Sequence, residues 1–432
     1  MNRIRIHRRI HRPFFGWWIV IGSALLHALH SSSFGFTFGI YLLQLQNGFG
    51  WSKFAISSAF SVSQLVNGFI GPAQGWLVDR FGSRMIMCCG TILFGLAFMG
   101  FSTINRLETL FLFVILIGIG ASLSGFLAMN ATLTNWFFKR RALAMGLGAT
   151  GLGLGGALAP LVALLIVTHG WRATSFASGL VIILIGLPLV QLFRRRPEDY
   201  GLVPDGTPLV SSQVSDAPLE LSYQSFDADF TVGEAVRDRN FWLVSIGHGL
   251  ALVTVFTFMV HLVPHLVQGL DWSETAAQSM FTVATATSIL GQVIGGVLGD
   301  RYSKTKVAGV CMLGHCSALI LLSFAGSPPL VVLAALVHGF SWGARGPLMM
   351  AIRADFYGRR NFATIAGIST VIVMGGPLLG PSVAGALSDA FGDYKIAFFS
   401  LGILTGVGSI FFFLARVPQL PRRLRQQSAQ SQ

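Results

Sequence analysis

The chain has 432 residues, 53% of them hydrophobic and only 11% charged, with a mean hydropathy of +0.67; soluble domains carry roughly a quarter charged residues. An ordinary water-soluble protein is excluded. The formal charge of +13 raises the question of nucleic acid, which the placement of the basic residues answers.

Apolar blocks of about 20 residues recur along the chain, each long enough to cross about 30 Å of hydrocarbon as a helix. In the first half they fall near Phe15 to Leu42, Phe54 to Val78, Met85 to Thr103, Leu110 to Thr132, Ala142 to Val167 and Thr174 to Phe193. In the second half they fall near Phe241 to Val267, Met280 to Gly299, Val307 to Ala325, Leu330 to Ile352, Ala363 to Leu387 and Ile396 to Ala415. The prediction is an all-α polytopic membrane protein of twelve transmembrane helices, and the 51 glycines suit helices that pack by close backbone approach.

The organisation follows in chain order. Residues 1–14 form a basic tail, and the apolar stretch after it has no A-x-A-like cleavage site, so it reads as an uncleaved first helix. Residues 15–193 form one six-helix bundle. The linker, 194–240, holds four prolines and nine of the 17 acidic residues. Residues 241–415 form the second bundle and 416–432 a tail.

On this topology 25 of the 30 Lys and Arg lie on the side of both tails and the linker. Only Lys53, Arg106, Arg172 and Lys395 lie opposite, and Arg345 lies inside a span. A bias of that size places both termini in the cytoplasm of a plasma (inner) membrane protein. Basic residues spread over seven loops and tails form no nucleic-acid patch; the partners implied are the bilayer and a small molecule.

The halves repeat one another at an offset of 221 residues. Trp51-Ser52 meets Trp272-Ser273, Asp79-Arg80 meets Asp300-Arg301, Gly125 meets Gly346, Gly146 meets Gly367 and Pro160 meets Pro381. Parallel six-helix repeats point to two bundles related by an axis along the membrane normal, with a site between them.

After the second span the sequence reads Gly75-Trp-Leu-Val-Asp79-Arg80-Phe-Gly82-Ser-Arg84. Asp79 closes the carboxyl end of its own helix, where the macrodipole disfavours an anion. Its favourable partners are therefore a nearby Arg or the amino end of another helix, and such a contact would latch the cytoplasmic side. Gly75 permits close helix approach and Gly82 a turn closed to side chains. A weaker copy, Gly296-Val-Leu-Gly-Asp300-Arg301, follows the eighth span.

This G-x-L-x-D-R-x-G-x-R motif and its copy resemble the signature of the major facilitator superfamily. Within it, FSVSQLVNGFIGPAQGWLVDRFGSR, NATLTNWFFKRRALAMGLGATGLGLGG and RRPEDYG look like the monocarboxylate-transporter and oxalate/formate-antiporter group. The resemblance implies two bundles rocking about a central site and a small organic anion as substrate. Members usually carry a basic residue in the eighth span to hold the carboxylate; here that position is Gln292.

No Asp or Glu lies deep in a span, so proton coupling falls to histidine. His27 and His30 in the first span rank highest, His248, His261, His265 and His338 follow, and His315, in a span expected to be peripheral, ranks last. Arg345 lies eight residues, thus on the order of 12 Å, deeper than Arg353. It shares one helix face with His338, Trp342 and Met349. That face could bind a carboxylate bidentately, or the arginine could snorkel to the interface.

Gly146-Leu-Gly148-Ala-Thr-Gly151 fits a dinucleotide fingerprint but follows no strand, and reads as helix packing. The four cysteines have no metal-ligand spacing, and no catalytic or cofactor motif is present. The expectation is a secondary active transporter of a monocarboxylate-like anion, by proton coupling or exchange. The alternatives are an exporter of neutral or cationic lipophilic compounds and a membrane nutrient sensor.

Overall fold

The computed structural model describes residues 14–206, 229–421 and 423, and the described residues form helices joined by short turns, with no strand among them. Ten helices are long and apolar enough to cross a membrane: Gly16–Phe49, Ser83–Phe101, Leu107–Trp136, Arg141–His169, Trp171–Val190, Arg239–Gly269, Ala276–Arg301, Lys304–Ser323, Phe362–Phe391 and Lys395–Leu414. The long helices Lys53–Phe81 and Pro328–Tyr357 complete the twelve. They are numbered below as spans in chain order.

Four spans are not continuous α-helices. In the first, the hydroxyls of Ser31, Ser32 and Ser33 donate back to the carbonyls of His27 and Leu29. This competition with the backbone ladder coincides with a π-helical turn at Ser31–Gly35. The fourth breaks at Gly125, whose φ of −100° and ψ of −145° are not helical. The seventh ends in a π-turn, His265–Gly269, after Pro264. The eleventh divides at Met374.

Each repeat begins its second helix in the same way: Ser52 Oγ accepts from the Ala55 amide at 3.1 Å and Ser273 Oγ from the Ala276 amide at 3.3 Å. These serines satisfy donors that a helix start leaves orphaned. The linker ties down two further equivalent turns. Asp205 accepts from the amides of Phe138, Lys139 and Arg140, and Asp229 from those of Arg359 and Arg360, the same turn one repeat later.

The halves meet along two seams, second span against eleventh and fifth against eighth. Glycine makes both possible. A Cβ on Gly71 would come within 2.9 Å of the Gly367 carbonyl, and one on Gly75 would collide with Ala363. In the other seam Gly146 meets the Gln292 carbonyl, and a Cβ on Gly296 would come within 2.7 Å of Leu143. These contacts are repeat-related, since Gly71, Gly75, Ala142 and Gly146 correspond to Gln292, Gly296, Ala363 and Gly367 at the 221-residue offset.

Replacing Gly75 with valine drives a branched side chain into the Ala363 backbone. Overpacking costs about 1–3 kcal/mol, so the thermal midpoint should fall. Phe69→Leu, at a position 72% exposed to the surroundings, should leave it unchanged.

Candidate functional site

At one end of the molecule each motif aspartate crosses the seam. Asp79 Oδ1 accepts from the Ala363 amide at 3.1 Å, while Oδ2 accepts from the Thr364 amide at 2.7 Å and its hydroxyl at 2.6 Å. Asp300 accepts from the amides of Ala142 at 2.9 Å and Leu143 at 2.9 Å. Each carboxylate thus sits on the first turn of a helix from the other half, where free amides and the macrodipole favour an anion.

The neighbouring motif residues do other work. Arg80 lies over the rings of Trp76 and Phe81, at 5.1 and 5.5 Å, and does not pair with Asp79. Arg84 Nε donates to the Phe193 carbonyl at 3.4 Å. Gly82, at φ +87°, makes the turn into the third span in a conformation costly for any other residue. Arg301 is exposed.

One ion network breaks the twofold symmetry. Arg141 in the fifth span, 6% exposed at the side chain, pairs with Asp355 in the tenth, and Lys304 reaches the other Asp355 oxygen at 2.8 Å. The repeat-equivalent positions are Phe362, Thr134 and Ser83, which carry no charge. The fifth–eighth side therefore carries an ion network with no charged equivalent at the repeat-related positions, while a different pair, Arg359 with Glu198 at 2.7 Å, lies on the Asp79 side.

Arg345 lies near the middle of Pro328–Tyr357, on the order of 18 Å from the Tyr357 end at 1.5 Å per residue. It is 1% exposed, and its Nε and Nη1 have no hydrogen-bond partner. It does not snorkel. Its charge acts on His248, His315, His338 and Cys311, all of the second half.

His338 stacks on Phe258 with centroids 4.0 Å apart, and its Nδ1 lies 3.3 Å from His315 Nδ1. One of the two nitrogens must carry the proton that the other accepts. His315, ranked last from its span, thus belongs to the most polar cluster of the second half. Span position alone could not show this, because the ninth span packs tightly on the tenth.

The remaining candidates have other surroundings. His27 is buried with its ring 5.8 Å from Phe126, and His30 meets Phe94 edge-on at 5.0 Å, both within the first half. Trp342 is half-buried. Gln292 is on the fifth–eighth seam, its Oε1 buried without a partner.

Arg353, counted from sequence with the loop arginines, is instead a second buried cation inside the tenth helix, 3% exposed. It donates to Ser369 Oγ at 2.6 Å and to the Met349 carbonyl at 2.6 Å, and its Nη2 lies 3.4 Å from His248 Nδ1. The hydropathy drop before Asp355 placed the span's end too early.

Within the second half, the seventh and eighth spans line a cleft of about 680 Å³ with Gln268, Gln278, Ser279 and Thr282, beside the Pro264 turn.

Two six-helix bundles joined across repeat-related seams by reciprocal aspartate contacts define a polytopic membrane protein built from two like halves. The chain belongs to the Major Facilitator Superfamily, whose sequence profile matches residues 23–263 and again 244–431, and it is accordingly a multi-pass membrane transporter and not an enzyme. Monocarboxylate transporter 13 of Bos taurus is 28% identical over 408 residues, covering 93% of this chain and 90% of that protein. The agnestins efflux protein AgnL12 of Paecilomyces divaricatus is 25% identical over 409 residues, covering 92% and 87%. In structure the chain is similar to a single-residue variant of the E. coli fucose:proton symporter FucP, with a TM-score of 0.70 at 16% identity, covering 94% of this chain and all of that one.

Asp355→Asn keeps the shape but strands the buried Arg141 charge. Removing one member of a buried charged hydrogen bond costs about 1.5–3 kcal/mol, lowered here because Asp355 is 32% exposed. In a thermal-unfolding cycle with Arg141→Met, the double variant should lose less than the sum of the two single variants; a loss equal to that sum would mean that the pair contributes nothing.

Proposed function

We propose that the protein is a secondary active transporter that moves a small monocarboxylate-like anion by alternating access, through proton symport or exchange. The observation that carries the reading is Arg345, a buried guanidinium near mid-helix with two donors unused and no carboxylate bonded to it among the described residues. A desolvated charge without a partner is costly, and a substrate carboxylate offering two parallel acceptors would compensate it. The 28% identity to monocarboxylate transporter 13 supports the same substrate class.

Proton coupling is assigned to the His315–His338 pair. The two imidazoles share a hydrogen-bond contact and both feel the Arg345 charge, and no Asp or Glu lies deep in a span. Asp79 and Asp300 form the gate: when the amino ends of the eleventh and fifth spans withdraw, both carboxylates lose those amide donors, and the opposite end closes. The distribution of Lys and Arg supports a cytoplasmic location for this gate and for both termini, in a plasma membrane.

A second reading has two observations in its favour. Gln292, neutral, occupies the position where the resemblance calls for a basic residue, and a relative is named as an efflux protein. In that reading the substrate is a neutral or lipophilic compound, and Arg345 holds the second bundle's interior together.

The two readings separate in a thermal-shift panel on the purified protein, followed by flux in liposomes. A ligand at 100 times its dissociation constant stabilises by about 2.7 kcal/mol. Monocarboxylates should raise the midpoint of the wild type and not of Arg345→Gln, with flux falling at least about tenfold. Shifts with lipophilic compounds alone, or unchanged carboxylate binding by Arg345→Gln, would remove the anion reading.

A further inference from the structure

The latched end holds a second cationic feature that the transport reading does not use. A pocket of about 30 Å³ opens between the halves, with Arg195 and Arg196 from the chain leaving the sixth span on one side and Arg359 and Arg360 on the other. Asp79 is the only acidic residue of its lining, and both Asp79 oxygens are already taken by the eleventh span. Such a volume exceeds the roughly 10–15 Å³ needed for one water and admits a compact ion.

The polar groups of the wall are incompletely satisfied, and in a specific way. Arg196 Nε is a buried donor without a partner, and Asn135 Oδ1 is a buried acceptor without one. The Asn135 amide is oriented by its Nδ2, which donates to the Arg195 carbonyl at 3.1 Å, so Oδ1 cannot be exchanged for a donor. A ligand that completes the pocket accepts from Arg196 and donates one hydrogen bond to Asn135, and, although Arg359 is paired with Glu198 at 2.7 Å, the guanidinium groups of Arg195, Arg196 and Arg360 favour an anion in that place. Chloride and sulfate cannot donate.

We propose that this pocket binds a protonated phosphate group, either inorganic hydrogen phosphate or the phosphomonoester of a lipid headgroup. The P–OH donates to Asn135 Oδ1, and the remaining oxygens accept from Arg196 and Arg360, a pairing whose planar donors suit phosphate. Arg194 and Arg195 are held to the first half through Trp136 and Asn135, while Arg359 and Arg360 belong to the second. The site is whole only when the halves are latched. Bound phosphate therefore favours the latched conformer: at ten times its dissociation constant the latched population relative to the open one rises about 11-fold. The site is independent of the identity of the transported substrate.

The test uses the full-length protein in phosphatidylcholine nanodiscs at matched ionic strength. Sodium phosphate should raise the thermal midpoint saturably, sulfate less, and chloride not at all. Arg196→Gln and the exposed Arg360→Gln should each weaken the phosphate response at least about tenfold, with midpoints in phosphate-free buffer showing that both variants are folded. A second arm adds phosphatidic acid to the nanodiscs without free phosphate: reproduction of the shift assigns the site to a lipid headgroup, and its absence to the soluble ion. Equal shifts with chloride and phosphate, or an undiminished phosphate response in both variants, would overturn the proposal.

Discussion

A carboxylate at the carboxyl end of its own helix is in the wrong electrostatic place, and this chain holds two of them, Asp79 and Asp300, one repeat apart. The amides of the first turn of a helix satisfy them, and in both cases that helix belongs to the other half. This exchange requires the backbones of the two halves to approach almost to contact. The glycines at 71, 75, 146, 296 and 367 line the two seams for that reason, and a Cβ at each would meet the partner helix. The Arg141–Asp355–Lys304 network and the four-arginine pocket exist only because the seams are closed there.

The energetic asymmetry of the molecule is as informative as its symmetry. The hydrogen-bonded latch repeats, but the ion network is confined to the fifth–eighth side, where Arg141 and Asp355 have uncharged counterparts. Charge is uneven inside the bundles as well. Two buried arginines, Arg345 and Arg353, lie in the second half, and they are handled differently: Arg353 is bonded to Ser369 and the Met349 carbonyl, whereas Arg345 keeps two donors unused. The two cations, about two turns apart in one helix, thus divide into a structural member, already satisfied, and one whose donors are left unused.

The discontinuities of the spans place polar backbone where regular helices would have none. The π-turn at Ser31–Gly35 comes from serine hydroxyls that compete for carbonyls, and the one at His265–Gly269 follows Pro264 beside the cleft. Such turns at membrane depth are tolerated where they face protein or a water-filled cavity.

The spans and the repeat were legible in the sequence because hydropathy and periodicity are one-dimensional quantities: a helix that must cross hydrocarbon satisfies its own backbone and needs no partner to be recognised. The misfit of Asp79 with its own macrodipole was legible for the same reason, as was the turn at Gly82. The sequence alone could not show which helix receives the carboxylate, that Arg353 is buried rather than in a loop, or that Asp355 answers Arg141 from 214 residues away. His315 and His338 are separated by 23 residues and share a hydrogen bond only because the ninth and tenth spans pack side by side. Which side chains meet across helices depends on the rotation and crossing of packed helices, and those are set by the collective fit of many side chains that no local pattern encodes.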